Sequence, residues 1–181
     1  MKVLIACEFS GILREAFRRR GHDSWSCDLI DTEIAGKHIK SDVLEILHDN
    51  WDLMVAHPPC KYLAVSGARW FRYRQMEQKE ALRFVRELMN APIEKICIEN
   101  PISVISTRVR KPDQIIQPWM FGHGETKATC LWLKNLPKLK PTHIVQGRRQ
   151  RVWREPPHTD RWKNRSRTYL GISEAMADQW G

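Results

Sequence analysis

No apolar run in the chain approaches the ~20 residues that a membrane-spanning helix needs. The start, Met1-Lys2-Val3-Leu4-Ile5-Ala6-Cys7, is too short for the apolar core of a secretion signal and turns acidic at Glu8. The five cysteines are an odd count, and none forms a C-x-x-C pair. That excludes a secreted disulfide framework and points to small core thiols in a reducing compartment. The expectation is a soluble, cytoplasmic protein with no membrane partner. There is no G-x-G-x-x-G, so a dinucleotide pyrophosphate site is not indicated. His57-x-x-Cys60 has no convincing companion ligands, so no metal is expected. Internal repeats and low-complexity segments are also missing.

What the chain does have is length and a concentrated charge. Its 181 residues suit one domain, which buries roughly 70% of its extended surface without staples. The net charge is +9. Between Lys134 and Arg167 eleven Lys and Arg face two acids, Glu155 and Asp160, which accounts for all of it; the remainder balances at nineteen against nineteen. A basic segment on a neutral body points to a polyanion, above all nucleic acid. A solvated surface that merely aids solubility is the plainer alternative.

Short apolar runs closed by breakers read as buried parallel strands. Val3 to Ala6 is the first, followed by the turn Cys7-Glu8-Phe9-Ser10-Gly11. Ile12 to Arg20 has helical spacing and ends in three arginines and Gly21, a stop signal. Asp23 to Cys27 is the second strand, with Asp28 at its tip, where such folds place a carboxylate against ribose hydroxyls. Thr32 to Lys40 reads as loop, and Asp42 as a cap for the apolar patch Val43 to Leu47 or a contact to a base. Leu53 to Ala56 is a strand that stops at His57-Pro58-Pro59-Cys60. A polar, aromatic and basic loop follows, carrying Arg69, Trp70, Arg72, Tyr73 and Arg74, a composition suited to bases and phosphates. Gln78 to Met89 is an amphipathic helix. Lys95 to Ile98 is a strand that delivers Glu99-Asn100-Pro101. Thr129 to Leu133 is another strand, and Ser173 to Trp180 a closing helix with Ser173 as its N-cap. The order is that of an α/β, Rossmann-like sheet with helices on both faces and a small basic, loop-rich C-terminal appendage. The expected divisions are 1–136 as catalytic core, 137–167 as a DNA-contacting segment and 168–181 as a helix packed back on the core.

In open α/β sheets ligands lie beyond the carboxyl ends of the strands. Cys60 and Glu99 stand at two such ends, a nucleophile and an acid facing one pocket. A cysteine sulfur adds readily to an electron-poor ring carbon. If Cys60 attacks C6 of a cytosine, C5 becomes able to take a methyl group. A neutral carboxylic acid at N3 would offset the charge put on the ring; burial favours that protonated form in Glu99. Asn100 would orient the glutamate or the base. On its own, Cys60 reads better as a buried structural thiol; the pairing with Glu99-Asn100-Pro101 is what favours chemistry.

The series Phe9-Ser10-Gly11, Asp28, Asp42, Pro58-Pro59-Cys60 and Glu99-Asn100-Pro101 resembles the motif order of DNA cytosine-C5 methyltransferases, most closely the short phage and prophage type. Arg165-Ser166-Arg167-Thr168 with Glu174-Ala175 looks like the family's late Arg-x-x-Thr…Glu-Ala motif. The resemblance implies transfer of a methyl group from S-adenosylmethionine to a cytosine flipped out of DNA. It implies Cys60 as nucleophile, Glu99 with Asn100 at the base, and Phe9, Ser10, Gly11, Asp28, Asp42 and Pro58 around the cofactor. Arg69, Arg72, Arg74, Lys127, Arg148, Arg149, Arg151, Arg165 and Arg167 are the expected DNA contacts, in the host cytoplasm if the gene is a phage's. Three departures stand out. Pro101 replaces the family's Val. Glu125-Thr126-Lys127-Ala128-Thr129 replaces an arginine-bearing motif, leaving Lys127 in the arginine's place. No Gly-Asn motif precedes Gly181, which leaves a homodimer mate or another partner to complete the cofactor site.

Rival readings are an amino-methyltransferase, a zinc deaminase, a thymidylate-synthase-like enzyme and a catalytically weak DNA-binding remnant or accessory protein. The flanks of Pro58-Pro59 lack the polar group that an exocyclic amine needs. The second cysteine of P-C-x-x-C is missing. Free-nucleotide chemistry leaves the basic segment unexplained, and the remnant leaves Cys60 and Glu99 unexplained together.

Overall fold

The computed structural model describes residues 1–181, with Trp153 described by its backbone alone. Seven strands form one sheet: β1 (Lys2–Ala6), β2 (Asp23–Asp28), β3 (His38–Lys40), β4 (Leu53–Ala56), β5 (Lys95–Pro101), β6 (Gln114–Ile116) and β7 (Thr129–Lys134). Their spatial order is β3-β2-β1-β4-β5-β7-β6. The pairs from β3 to β5 are parallel, while β7 runs antiparallel to both β5 and β6. The order reverses between β1 and β4, and a crevice opens at the carboxyl ends of strands where the order reverses.

The helices are α1 (Ile12–Arg19), α2 (Gln75–Met89), α3 (Ile105–Arg108), α4 (Arg151–Arg154), α5 (Arg161–Ser166) and α6 (Leu170–Trp180). Alternation along the strands divides the core in two. Leu4, Ala6, Met54, Ala56, Ile96 and Ile98 pack beneath Leu82, Val85 and Leu88 of α2. Val3, Ile5, Leu53, Val55, Cys97 and Leu131 face α1 and α6. Full burial of Leu13 and Phe17 on α1 stabilises by roughly 1.5–3 kcal/mol each. The chain is therefore an α/β sheet with helices on both faces.

Four local expectations change. Thr32 to Lys40 is not all loop: His38–Lys40 forms edge strand β3, paired Ser26↔His38 to Asp28↔Lys40. The segment after Cys60 is not loop either; Val65–Tyr73 winds into a 3-10 helix with no buried residue. α2 begins at Gln75. Ser173 does not cap the last helix, which starts at Leu170; Ser173 is buried inside it, its hydroxyl donating to the Tyr169 carbonyl. Gly171 permits the earlier start. A Cβ there would stand 1.9 Å from the Phe121 carbonyl oxygen, so only a glycine lets α6 approach this closely.

Candidate active site

The β4–β5 pairing runs from Leu53↔Lys95 to Ala56↔Ile98. Continued beyond Ala56, the same register puts His57 opposite Glu99 and Pro58 opposite Asn100. Both pairs are hydrogen-bonded. His57 Nδ1 lies 2.8 Å from Glu99 Oε2. Asn100 Nδ2 donates to the Pro58 carbonyl at 2.8 Å. Successive side chains leave a strand on opposite faces, so Glu99 and Asn100 part company. Asn100 fixes the Pro58-Pro59-Cys60 loop and does not orient the glutamate. Pro58 is buried, and Cys60 beyond it is the one exposed cysteine of the five.

Glu99 is not the neutral acid that its sequence context suggests. Burial pushes its carboxyl up, but the His57 hydrogen bond and charge, the Lys127 charge and the Thr129 hydroxyl together hold it below its usual range. The imidazole beside it thus favours the ionised form of this carboxyl. Burial around the sulfur, followed by the Glu99 charge, pushes the Cys60 thiol up, while Lys127 and Arg165 pull it down. His57, Cys60, Glu99, Lys127 and Arg165 thus form one electrostatic neighbourhood.

On the other side of His57 stands Glu8, buried in the turn after β1. One of its oxygens accepts from the Leu13 N–H at 2.8 Å and from the Ser10 hydroxyl at 3.1 Å; the other accepts from the Arg14 N–H at 3.3 Å. A carboxylate at this position satisfies open donors of a helix start and complements its dipole. Burial still drives Glu8 upward, against the opposing charge of His57 and these hydrogen bonds. Gly11 turns the chain with φ 75°, and its Cβ position would fall 2.8 Å from the buried Arg14 guanidinium. Arg14 in turn holds Ser26, Thr32 and the Ile34 carbonyl, fastening the 29–37 segment to the sheet.

The expected cofactor residues divide. Asp28 is half-buried at the tip of β2; one oxygen accepts from Ile30 N–H, and burial raises its carboxyl. Leu29 beside it is 70% exposed, a bare apolar surface. Asp42 caps the 3-10 helix Val43–Ile46 through Leu44 N–H. Phe9 and Ser10 are buried, and the Phe9 ring packs 5.5 Å from that of Trp162 on α5.

The basic candidates also divide. Arg74 pairs with Glu77, Arg151 with Glu125 and Arg167 with Glu33, the last through two contacts of 2.6 and 2.8 Å. The Lys127 ammonium donates to the Arg165 carbonyl at 2.9 Å. Arg69, Arg72 and Arg148 lie over the rings of Trp70, Tyr73 and Trp119. Among the described residues, Arg69, Arg72, Arg148, Arg149 and Arg165 have no carboxylate partner. Residue-by-residue reading passed over His57, Glu8 and Thr129. The signal for His57 was present: two apolar runs ending level place the residues after them side by side.

No group of three or more His, Cys, Asp or Glu among the described residues is arranged to hold a metal ion. Among the described residues no helix is long and apolar enough to cross a membrane. No family model and no curated protein matches this chain. Among solved structures it is similar to an E. coli protein described as a DNA modification methyltransferase encoded within a prophage, with a TM-score of 0.51 and 13% identity. The match covers 80% of this chain and 51% of that one, so the chain spans about half the length of the structure it matches. At that identity the likeness is one of fold, that of an α/β sheet with helices on both faces.

Proposed function

We propose that the protein methylates DNA at cytosine C5, using S-adenosylmethionine. The observation that carries this reading is the exposed Cys60 at the tip of β4 beside Glu99, which His57 holds on the neighbouring strand. The fold likeness to a protein described as a DNA modification methyltransferase supports it.

The methyl donor fits at the tip of β2. Asp28 supplies a carboxylate for ribose hydroxyls, and the exposed Leu29 offers an apolar face to a nucleobase. The α1 N-terminus does not serve the donor's carboxylate, because Glu8 already accepts from Leu13 and Arg14. When bound, the donor supplies an electrophilic methyl group.

The protein's own steps are these. Cys60 gives its thiol proton to solvent and bonds through sulfur to C6. The displaced electron pair settles on the ring toward N3, where a proton is delivered at Glu99. Lys127 and Arg165 favour the thiolate. With C6 saturated, C5 carries the electron density that takes the methyl group. Loss of the C5 proton to solvent then breaks the sulfur–C6 bond and frees the cysteine as its thiolate, and the N3 proton returns to Glu99. Asn100 keeps the loop in register, and the five unpaired arginines hold phosphate.

The test is methyl transfer to mixed-sequence duplex DNA, with the digested nucleosides identified by mass spectrometry. We expect 5-methylcytosine, absent with Cys60→Ala. A product methylated on an exocyclic nitrogen would overturn the nucleophile. Intact DNA binding with no product would favour the binding remnant.

A further inference from the structure

His57 holds Glu99 but takes no bond-making or proton-transfer step in the chemistry just described, and it is fixed at the strand tips through both its backbone and its ring. Its backbone N–H donates to the Ala6 carbonyl, extending the β1–β4 ladder, so the ring cannot drift from Glu99. Nδ1 is spent on Glu99 at 2.8 Å. Nε2 is buried with no partner. An imidazole held this way is a proton store with one outlet. We propose that His57 is the source of the proton that cytosine N3 receives, with Glu99 as its carrier. The inference rests on the C5 reading above.

The transfer balances as follows. The donor form of His57 is the imidazolium: its Nδ1 proton passes to Glu99 Oε2, and Nε2 keeps its own. The carboxyl turns about its last bond and gives that proton to N3 as the sulfur–C6 bond forms. His57 is left neutral, Glu99 is again a carboxylate, and the charge that the thiolate brought to the ring is cancelled. A buried carboxylate on its own would have to draw this proton from water. Groups facing the pair from the surrounding elements are Glu8 in the turn after β1, Cys60 beyond β4, and Lys127 and Thr129 at the start of β7. Arg165 adds its charge at Cys60. Glu8 is bound by the α1 N–H groups and Ser10, and Lys127 by the Arg165 carbonyl; neither holds a hydrogen bond to His57.

Two measurements decide the matter. The first needs no substrate: nitrogen-15 spectra of the His57 ring in the wild type and in Glu99→Gln. A shared proton gives a strongly deshielded Nδ1–H in the wild type that is lost in E99Q. A His57 ring that titrates alike in both proteins overturns the coupling. The second is the pH profile of methyl transfer for the wild type, His57→Gln and His57→Leu. Glutamine keeps an N–H toward Glu99 but stores no proton. The wild-type rate should fall on the alkaline side as His57 empties. In H57Q that limb should move to lower pH, where Glu99 alone gives up its proton, with the neutral-pH rate down on the order of 100-fold. H57L should match H57Q in profile. An H57Q rate and limb equal to wild type would reduce His57 to a packing residue. A wild-type protein that forms no 5-methylcytosine overturns the methylation reading and this delivery step with it, and the spectra then report the pair alone.

Discussion

Three ionisable side chains stand in line at the tips of β1, β4 and β5: Glu8, His57 and Glu99. Burial acts on both carboxyls, but with opposite results. Glu99 has an imidazole at hydrogen-bond distance and is held below its usual range, whereas Glu8 has backbone N–H groups and a hydroxyl and is driven above it. The signs follow. A carboxyl raised in the folded state contributes stability below its unfolded value, about 4.5, and loses it as pH rises through the folded value. Glu99, lowered, contributes fully above 4.5 and loses its contribution only as pH falls through its folded value. Of these two carboxyls it is therefore Glu8 that gives a slope above pH 5. Urea midpoints measured from pH 5 to 8 should fall for the wild type relative to Glu8→Gln, which keeps an acceptor for Leu13 and buries no charge. Parallel curves for the two proteins would mean that the Glu8 charge is solvated or compensated.

Among the elements, what was legible in the sequence was whatever packing writes into it. Val3 to Ala6, Leu53 to Ala56 and Lys95 to Ile98 are strands buried on both faces, so they stand out as apolar runs. His38–Lys40 has no such mark: it is a three-residue edge strand held by backbone pairing with β2. The 65–73 helix buries no residue and so imposes no periodicity. Cys60 and Glu99 were visible because each follows a run. Their linkage through His57 depends on register between strands 42 positions apart, which no single run shows. The start of the last helix at Leu170 rather than Ser173 has a related cause in Gly171. That glycine makes a tertiary contact with Phe121, which no local pattern shows, and its own N–H donates to His123 Nε2 at 3.1 Å. Gly171→Ala drives a methyl group into a backbone carbonyl that has no rotamer to yield, so α6 must lift from α1. Overpacking of this kind costs about 1–3 kcal/mol. For a chain of this size that is a Tm roughly 3–10 °C lower. A Tm unchanged by calorimetry would show that α6 shifts freely along α1.

For the whole molecule the question is how a +9 chain spends its charge. The basic segment does not simply hang from the sheet. Trp162 lies on Phe9, Arg167 clasps Glu33 of the 29–37 segment, Arg151 meets Glu125, and α6 returns to α1 with the pairs Arg19–Glu174 and Arg20–Asp178. Part of the charge excess thus closes the fold over the tips of β1 and β2. What remains for a polyanion among the nine candidates is Arg69 and Arg72 after the Cys60 loop, Arg148 over Trp119 with Arg149 next to it in the chain, and Arg165 at the site. Each phosphate contact released by salt adds about −0.9 to the slope of log affinity against log salt concentration. Five contacts predict a slope of roughly −4 to −5, whereas all nine sequence candidates would give about −8. Replacing Arg148 and Arg149 together by alanine should shallow the slope by about 2 while leaving preferences among sequences unchanged, because phosphate contacts position and do not specify. Replacing Arg167 should cost folding stability before it costs slope, since its charge is already met by Glu33. The measurement is fluorescence anisotropy of a labelled duplex titrated at several salt concentrations, with urea unfolding of the same variants alongside. A slope near −8, or a slope that moves with Arg167 and not with Arg148 and Arg149, would mean that the ion pairs open on DNA and that the closed arrangement over the strand tips is a resting state of the free protein.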